Sequence, residues 1–297
     1  MARMDWFTLS LLCAFSLAAA DALTKKWLAH HSAAELVMVR FGMAALLLMP
    51  LVFLHPPTPV PAQFWWWVGT ALPLEVLAMV MYVLAIRDSP LALTLPYMAF
   101  TPVFASLVGW LLLGEQFSAP GLLGVLLVTL GAYALNLEHA RLSQPRSWLV
   151  PFAAIYRERG SRLMLGVALI YGVTSVQGKG AMQYMGGMEF GGFYFMMLGA
   201  FTLLVFAIRE PASVRVLLRP SAGAIIVAAL MAAMVATHFL ALEQIQTAYM
   251  ISVKRTSILM GILFGAALFG DKRLFHHLAA GAVMVAGVAL IALQKAH

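Results

Sequence analysis

The chain has 297 residues, of which 63% are hydrophobic and only 10% are charged. A soluble domain carries about 25% charged residues, so this composition excludes one that covers itself with a charged surface. Apolar windows of about 20 residues, the length that crosses a bilayer as a helix, recur along the whole sequence. The net charge of +7 is therefore interpreted through membrane topology, and we expect no nucleic-acid partner. The sequence predicts a multi-pass membrane protein.

The spans are predicted to be helices, because lipid cannot satisfy exposed backbone groups and no alternating barrel pattern is present. We predict ten of them, at residues 5–28, 34–54, 63–86, 90–113, 119–137, 161–184, 188–208, 221–242, 246–269 and 275–294. Pro90, Pro96 and Pro102 are expected to bend or loosen the fourth span. The single cysteine, Cys13, excludes an internal disulfide and a thiolate metal cluster. We expect no metal and no cofactor.

Two stretches of the sequence repeat each other at an offset of 156 residues, which takes residue 90 to residue 246. They are PLALTLPYMAFTPVFASLVGWLLLGE, at 90–115, and QTAYMISVKRTSILMGILFGAALFGD, at 246–271. Three pairs align at their ends: Gly109 with Gly265, Gly114 with Gly270, and Glu115 with Asp271. Each stretch ends in glycine followed by an acidic residue and then runs into another span.

The repeat predicts two five-helix halves, 1–137 and 161–297, joined by a polar linker at 138–160. Since five is an odd number, the second half must enter the bilayer upside down. The expected fold is an all-α membrane protein of ten transmembrane helices in two inverted repeats. Transporters with such repeats bind their substrates near the bilayer midplane, between the halves.

The paired WLLLGE and ALFGDK ends, the ten spans and VRF at 39–41 resemble the EamA-type branch of the drug/metabolite transporter superfamily. The resemblance covers essentially the whole chain. It implies transport of small metabolites, without naming a substrate. A second similarity, to the sugar-phosphate translocators of the same superfamily, lies in VKR at 253–255 and GKGAM at 178–182. That similarity implies that Lys179, Lys254 and Arg255 are anion ligands, although the spacing from Lys-Arg to the terminal Gly-acid is about one helical turn longer here.

The distribution of Lys and Arg predicts an orientation. Loops and tails on the side of the termini carry two of these residues, Arg3 and Lys295, whereas loops on the other side carry eleven. The positive-inside rule therefore places the termini outside the cell, while the family resemblance implies termini in the cytoplasm. Six cations lie in or at the edges of spans: Lys25, Lys26, Arg40, Lys179, Lys254 and Arg255.

Charged residues within spans usually line a cavity or pair with one another. We therefore predict that Lys254 faces a central cavity and, with Lys179, holds a negative group of the substrate. Arg255 is expected to point elsewhere and to bond a carbonyl or carboxylate of a neighbouring helix. Glu75, about twelve residues into the third span, is the acidic member of the site, and an ion pair between it and the cations is the structural alternative.

The remaining candidates are aromatic or titratable. Tyr97 and Tyr249 are predicted to contact substrate, although a tyrosine in a span is more often a packing residue. Glu75 and His238 are the candidates for proton coupling, and exchange against a counter-substrate is the other option. Glu115, Glu189, Glu243 and Asp271 lie at helix ends, where a cap or an interfacial charge is the expected role. Gly187/Gly191 and Gly261/Gly265 form GxxxG pairs, which favour close helix contact.

The sequence contains no HExxH or GxSxG motif, and GVTSVQGKG at 172–180 lacks the spacing and the Ser or Thr of a phosphate-binding loop. We therefore expect no enzyme activity.

The predicted function is secondary-active export or exchange of a small polar or anionic metabolite, such as an amino acid, an organic acid or a phosphorylated compound, across the inner or plasma membrane. The alternative is a flippase for a lipid or lipid-linked carrier with an anionic headgroup. The expected partners are the solute, the bilayer, a proton or counter-substrate, and a second copy in a homodimer.

Overall fold

The computed structural model of the chain describes residues 4–88, 95–135, 159–269 and 278–294, and these residues form helices and their connections, with no β-strand among them. The helices of the first half are α1 Trp6–Trp27, α2 Ala33–Val37, α3 Ala44–Leu54, α4 Ala62–Asp88, α5 Thr101–Leu113 and α6 Ala119–Leu135. A π-helix, Met38–Met43, joins α2 to α3, and a 3-10 helix, Leu95–Phe100, leads into α5.

The second half has α7 Arg159–Ala181, α8 Gly187–Arg209, α9 Arg215–Leu218, α10 Ala222–Leu242, α11 Thr247–Lys254, α12 Ser257–Phe269 and α13 Leu278–Ala292. A 3-10 helix, Pro211–Val214, precedes α9. Polar residues begin several helices by accepting from amides that have no partner within the helix. Asp5 accepts from the amides of Phe7 and Thr8, both at 3.0 Å, and Ser32 forms a capping box with Glu35.

Every predicted span overlaps one of these helical regions. Five helical stretches are long and apolar enough to cross a bilayer: Trp6–Trp27, Ala33–Leu54, Ala62–Tyr82, Gly187–Arg209 and Ala222–Leu242. Three shorter apolar stretches are Tyr97–Leu113, Ala119–Ala134 and Ala280–Ala292. The chain is therefore an all-helical, multi-pass membrane protein. Most of the predicted linker, 138–160, lies outside the described residues, as do Pro90, Gly270 and Asp271.

The helices of residues 1–137 pack on those of residues 161–297 in a symmetric set of pairs. In the main pairs α1 packs on α10 and α4 on α7, and these pairs are equivalent if α1 corresponds to α7 and α4 to α10. α6 packs on α13, and α3 packs on α8, so each of these two pairs joins corresponding helices. At the ends of the α1–α10 pair, Gln244 Nε2 after α10 donates to the carbonyl oxygen of Met4 before α1, at 3.4 Å.

Close backbone approach between α6 and α13 follows the 156-residue offset. A Cβ added at Gly131 would lie 2.8 Å from Ala280 O and 2.7 Å from Met284 N. Gly287 is the offset partner of Gly131, and a Cβ there would lie 2.7 Å from both Gly124 O and Val128 N. Gly124 and Val128 are in turn the offset partners of Ala280 and Met284. Higher residue numbers on one helix meet lower numbers on the other, so the two helices run antiparallel.

Both halves contain an irregular helix at equivalent positions. In the second half a turn at Arg255–Thr256 separates α11 from α12, which begins at Ser257. In the first half the 3-10 helix ends at Phe100 and α5 begins at Thr101, which is the offset partner of Ser257. The fourth predicted span is thus irregular, as its prolines led us to expect, whereas the break in the ninth has no proline and was not predicted.

Candidate functional site

Lys254 and Arg255 lie at the break between α11 and α12. Arg255 is 8% exposed, and its Nε atom is buried without a hydrogen-bond partner. No hydrogen bond joins its guanidinium to another described residue, although Asp21, Tyr82 and Tyr171 lie within electrostatic range. The expected bond from Arg255 to a carbonyl or carboxylate of a neighbouring helix is therefore not found in this part of the chain. The break turns the guanidinium inward among tyrosines instead.

Lys254 is half-buried, and its ammonium lies within electrostatic range of Cys13, Glu75 and Asp21. It forms no ion pair within 4.0 Å with any residue that the structure describes. Lys254 is therefore not held against Glu75, which was the structural alternative. An ammonium in the middle of the protein that is partly exposed and has no such partner remains available to a solute.

Glu75 faces the second half from α4. Its carboxyl lies beside Thr174 of α7 and within electrostatic range of Lys254. The Thr174 hydroxyl is buried and makes no hydrogen bond of good geometry, so the two side chains are close without being fixed to each other. The structure thus brings Glu75 near Lys254 and leaves both groups without a direct ion pair to each other.

Arg40 and Asp21 form a second charged pair next to these residues. Arg40, in the π-helix, donates from Nη2 to Asp21 of α1 and, at 3.4 Å, to the Thr24 hydroxyl. Tyr82 and Tyr171 lie within electrostatic range of both Arg40 and Arg255, which connects the pair to the helix break. The sequence placed Arg40 only among the edge cations, because no sequence pattern revealed the π-helix that turns it inward.

His238 joins the same region from α10. Its ring is buried, its Nδ1 atom has no hydrogen-bond partner, and both Lys254 and Arg255 lie within electrostatic range. We call this group the central polar cluster and define it as Asp21, Arg40, Glu75, Tyr82, Tyr171, His238, Lys254 and Arg255. The sequence named Lys254, Arg255 and Glu75 as binding residues and His238 as a candidate for proton coupling, and it named neither Tyr82 nor the Asp21–Arg40 pair as binding residues.

Lys179 lies elsewhere. Its ammonium donates to the carbonyl oxygen of Ile245 and lies 3.3 Å from Glu115 Oε1. Lys179 is near the end of α7, whereas Lys254 closes α11 beside the break, and the two share none of the described charged partners. The structure therefore does not bring Lys179 and Lys254 together, contrary to the expectation that they hold one group of the substrate.

Tyr97 and Tyr249 are also accounted for by packing. Tyr97 is buried in a small core with Met164 and Val167 and hydrogen-bonds Ser161. Tyr249 is buried, its hydroxyl accepts from the Ser118 amide at 3.1 Å, and its ring meets Phe117 edge-on. Neither residue belongs to the central polar cluster.

Comparison with known proteins finds a family match for part of the chain and a similar fold for all of it. Residues 4–137, the predicted first half, match the EamA-like transporter family. The whole chain is similar in fold to a crystal structure described as "Crystal structure of protein", with a TM-score of 0.70, 16% identity, and coverage of 98% of this chain and 99% of the other. No curated protein matches. The family consists of transporters of small molecules rather than enzymes, and its members lie in membranes. This chain is a multi-pass membrane protein, and its residues 4–137 match the EamA-like transporter family.

Proposed function

We propose that this transporter is a secondary carrier that exports or exchanges a small polar or anionic metabolite, such as an amino acid, an organic acid or a phosphorylated compound, by alternating access. The observation that carries the proposal is the pair Lys254 and Arg255, which lie at a helix break and whose side chains make no hydrogen bond or ion pair with a described residue. A cation inside a membrane protein is costly unless a partner or water compensates it. A bound solute with a negative group supplies that partner.

The break itself supports a site at this place. In secondary transporters, discontinuous helices near the midplane expose helix ends to substrates and ions. The end of α11 and the start of α12 meet at Arg255–Thr256, and the equivalent junction of the first half carries Met98 and Ala99 instead of Lys254 and Arg255. The halves thus differ in charge where they correspond in shape. Such asymmetry suits a site for one polar solute.

The architecture that we propose is a pair of inverted five-helix halves, 1–137 and 161–297. The antiparallel packing of α6 on α13 and the exchangeable pairs α1–α10 and α7–α4 support it. Two inverted halves can rock about a common site and expose it to either side of the membrane. We place the carrier in the plasma membrane, where export of a metabolite requires it.

Coupling is assigned to Glu75 and His238. Both lie within electrostatic range of Lys254, so a proton bound by either one changes the charge that a solute meets. Electroneutral exchange against a second solute is the other coupling mode. An anionic lipid headgroup could bind the same cations. A flippase is distinguished from a metabolite carrier by whether the lipid or a small solute crosses the membrane.

The test is uptake into proteoliposomes that contain the purified chain. Amino acids, organic acids and sugar phosphates are offered in turn without ATP, together with a fluorescent anionic lipid to detect flipping. We expect flux of one class of small solute, and Lys254→Met should reduce it by about tenfold or more, since a charge-assisted bond is lost. Lys26→Met, which removes an exposed cation at the end of α1, is the matched control.

Normal flux in Lys254→Met would contradict the assignment of the site. Flipping of the lipid without flux of any small solute would replace the metabolite carrier by a flippase. Thermal unfolding of both variants in detergent checks that the substitution changes transport and leaves the fold intact.

A further inference from the structure

A buried carboxylate ties the two halves together away from the central polar cluster. We call the membrane face at which α1 begins and α13 ends the terminus face; Glu115, which follows α5, lies on it. Gly114 has a φ of +64°, a left-handed conformation that suits glycine, and the Glu115 amide donates back to Gly109 O at 3.1 Å. This turn folds the Glu115 side chain inward, so the residue is only 8% exposed.

Glu115 bonds two helices of the other half. Its Oε1 atom accepts from the Thr247 amide at 2.9 Å and from the Thr247 hydroxyl at 2.8 Å, and Lys179 Nζ lies 3.3 Å away. Thr247 is the first residue of α11, and Lys179 is in the last turn of α7. One carboxylate of the first half thus holds the starting end of the helix that carries Lys254 and the final turn of α7.

Further bonds between the halves surround this carboxylate. The Ser118 amide donates to the Tyr249 hydroxyl at 3.1 Å, and Gln246 Nε2 donates to Gln116 O at 3.5 Å. Outside them lies a cavity of about 220 Å³, lined by Leu113, Glu115, Lys179, Met182, Gln183 and Glu243. The second carboxyl oxygen, Oε2, is buried and has no hydrogen-bond partner. The bonds between the halves and this cavity thus lie side by side at the terminus face.

One charge of the central polar cluster, Asp21, is exposed near the end of α1 that is opposite the terminus face. The Asp21 side chain is 45% exposed although it bonds Arg40 between helices. It lies six residues before the end of α1, about 9 Å from the face opposite the termini. Cys13, in the same helix but nearer the terminus face, is 0% exposed.

We propose that Glu115, with Lys179 and Thr247, forms the gate that closes the transport path at the terminus face. The proposal rests on the proposed function, since a gate exists only in a carrier. In alternating access the contacts between the halves at one face must break once in each cycle, and buried bonded contacts give discrete closed and open states. Lys179 is then a gating residue, which explains why it is charged without joining Lys254.

Cys13 supplies a test that needs no substrate. It is the chain's sole cysteine, it is buried, and it lies within electrostatic range of Lys254. A membrane-impermeant methanethiosulfonate reagent is applied from each side to proteoliposomes of known orientation. In the unmodified chain, labelling of Cys13 from the terminus face should be slow. Glu115→Gln and Lys179→Met should each raise that rate about tenfold, since each removes part of a buried bonded ion pair.

The matched control is Asp5→Asn, which removes a carboxylate at the same face whose bonds stay within α1. Unchanged labelling in both gate variants would overturn the proposal, as would a rise that is equal from both faces or that also occurs in Asp5→Asn. The double variant Glu115→Gln, Lys179→Met leaves no buried charge without a partner and keeps the test usable if a single variant folds poorly. A chain that transports none of the tested solutes still reports the gate through Cys13.

Discussion

Residues with a charge fall into two groups that differ in whether a partner compensates them. Glu115 and Lys179 bond each other and the backbone around them. The side chains of Lys254 and Arg255 have neighbours within electrostatic range but make no hydrogen bond or ion pair with a described residue. A bonded partner offsets the free-energy cost of burying a charge, whereas a buried cation without a partner needs water or a bound solute. This difference separates the gate from the proposed site.

Glu75 is the residue whose protonation should matter most. It lies beside Thr174 and near Lys254, so its charge opposes or admits a negative solute at the site. If Glu75 carries the coupled proton, Glu75→Gln should abolish the pH dependence of uptake, measured between pH 5 and 8 in proteoliposomes. Glu210→Gln, an exposed carboxylate at the end of α8, is the control. A pH profile unchanged by Glu75→Gln would leave His238 or solute exchange as the coupling mode.

The sequence predicted part of this site because an ionisable residue deep in an apolar span is costly and therefore informative. Lys254, Arg255 and Glu75 were named on that ground and His238 as a candidate proton carrier, and the structure places Glu75 and His238 within electrostatic range of Lys254. Lys179 was assigned to the same site because a sequence gives its distance from the helix end but not which face of the helix it occupies. Arg40 was undervalued because the π-helix that turns it inward leaves no periodic signal.

Elements were more predictable than their irregularities. Each predicted span overlaps a helical region, since apolar length is a direct physical requirement of the bilayer. The break at Arg255–Thr256 contains no proline, and only the packing around it could reveal it. The two GxxxG pairs behaved differently, because Gly187 and Gly191 meet Phe239 closely whereas a Cβ at Gly261 or Gly265 would meet nothing within 4 Å.

Packing between α6 and α13 provides a prediction about stability. Gly131→Ala and Gly287→Ala each place a Cβ 2.7–2.8 Å from backbone atoms, so the helices must separate. Each variant should lose about 1–3 kcal/mol, as overpacked cores do. Gly261→Ala meets open space and should be neutral or slightly stabilising, because alanine favours the helix by about 1 kcal/mol. Thermal unfolding in detergent measures the melting temperature of all three variants. Equal melting temperatures would show that α6 and α13 are not in close contact.

At the scale of the whole molecule, the two proposed halves correspond at several positions in the structure and differ in charge there. The helix junctions at Thr101 and Ser257 and the glycines at 131 and 287 obey one offset. The cations at 254 and 255 and the gate lysine at 179 have no charged counterparts at 98, 99 and 23. A repeat supplies two equivalent ways to close, while the charges determine what is carried.

An inverted repeat fixes which segments share a side of the membrane. Tags at both termini and an insertion at the exposed residues 56–57 should lie on one side, and insertions at 145 and 219 should lie on the other. The charge count predicts that the termini are outside, since eleven Lys and Arg lie in loops on the opposite side. Protection of each tag from a membrane-impermeant protease in intact cells and in inverted vesicles measures both points. If the insertion at 145 lies on the side of the termini, the first half crosses the membrane an even number of times and the halves are not inverted. If the termini are inside, the family resemblance rather than the loop charges sets the orientation, and the Glu115 gate closes the cytoplasmic entrance instead of the outer one.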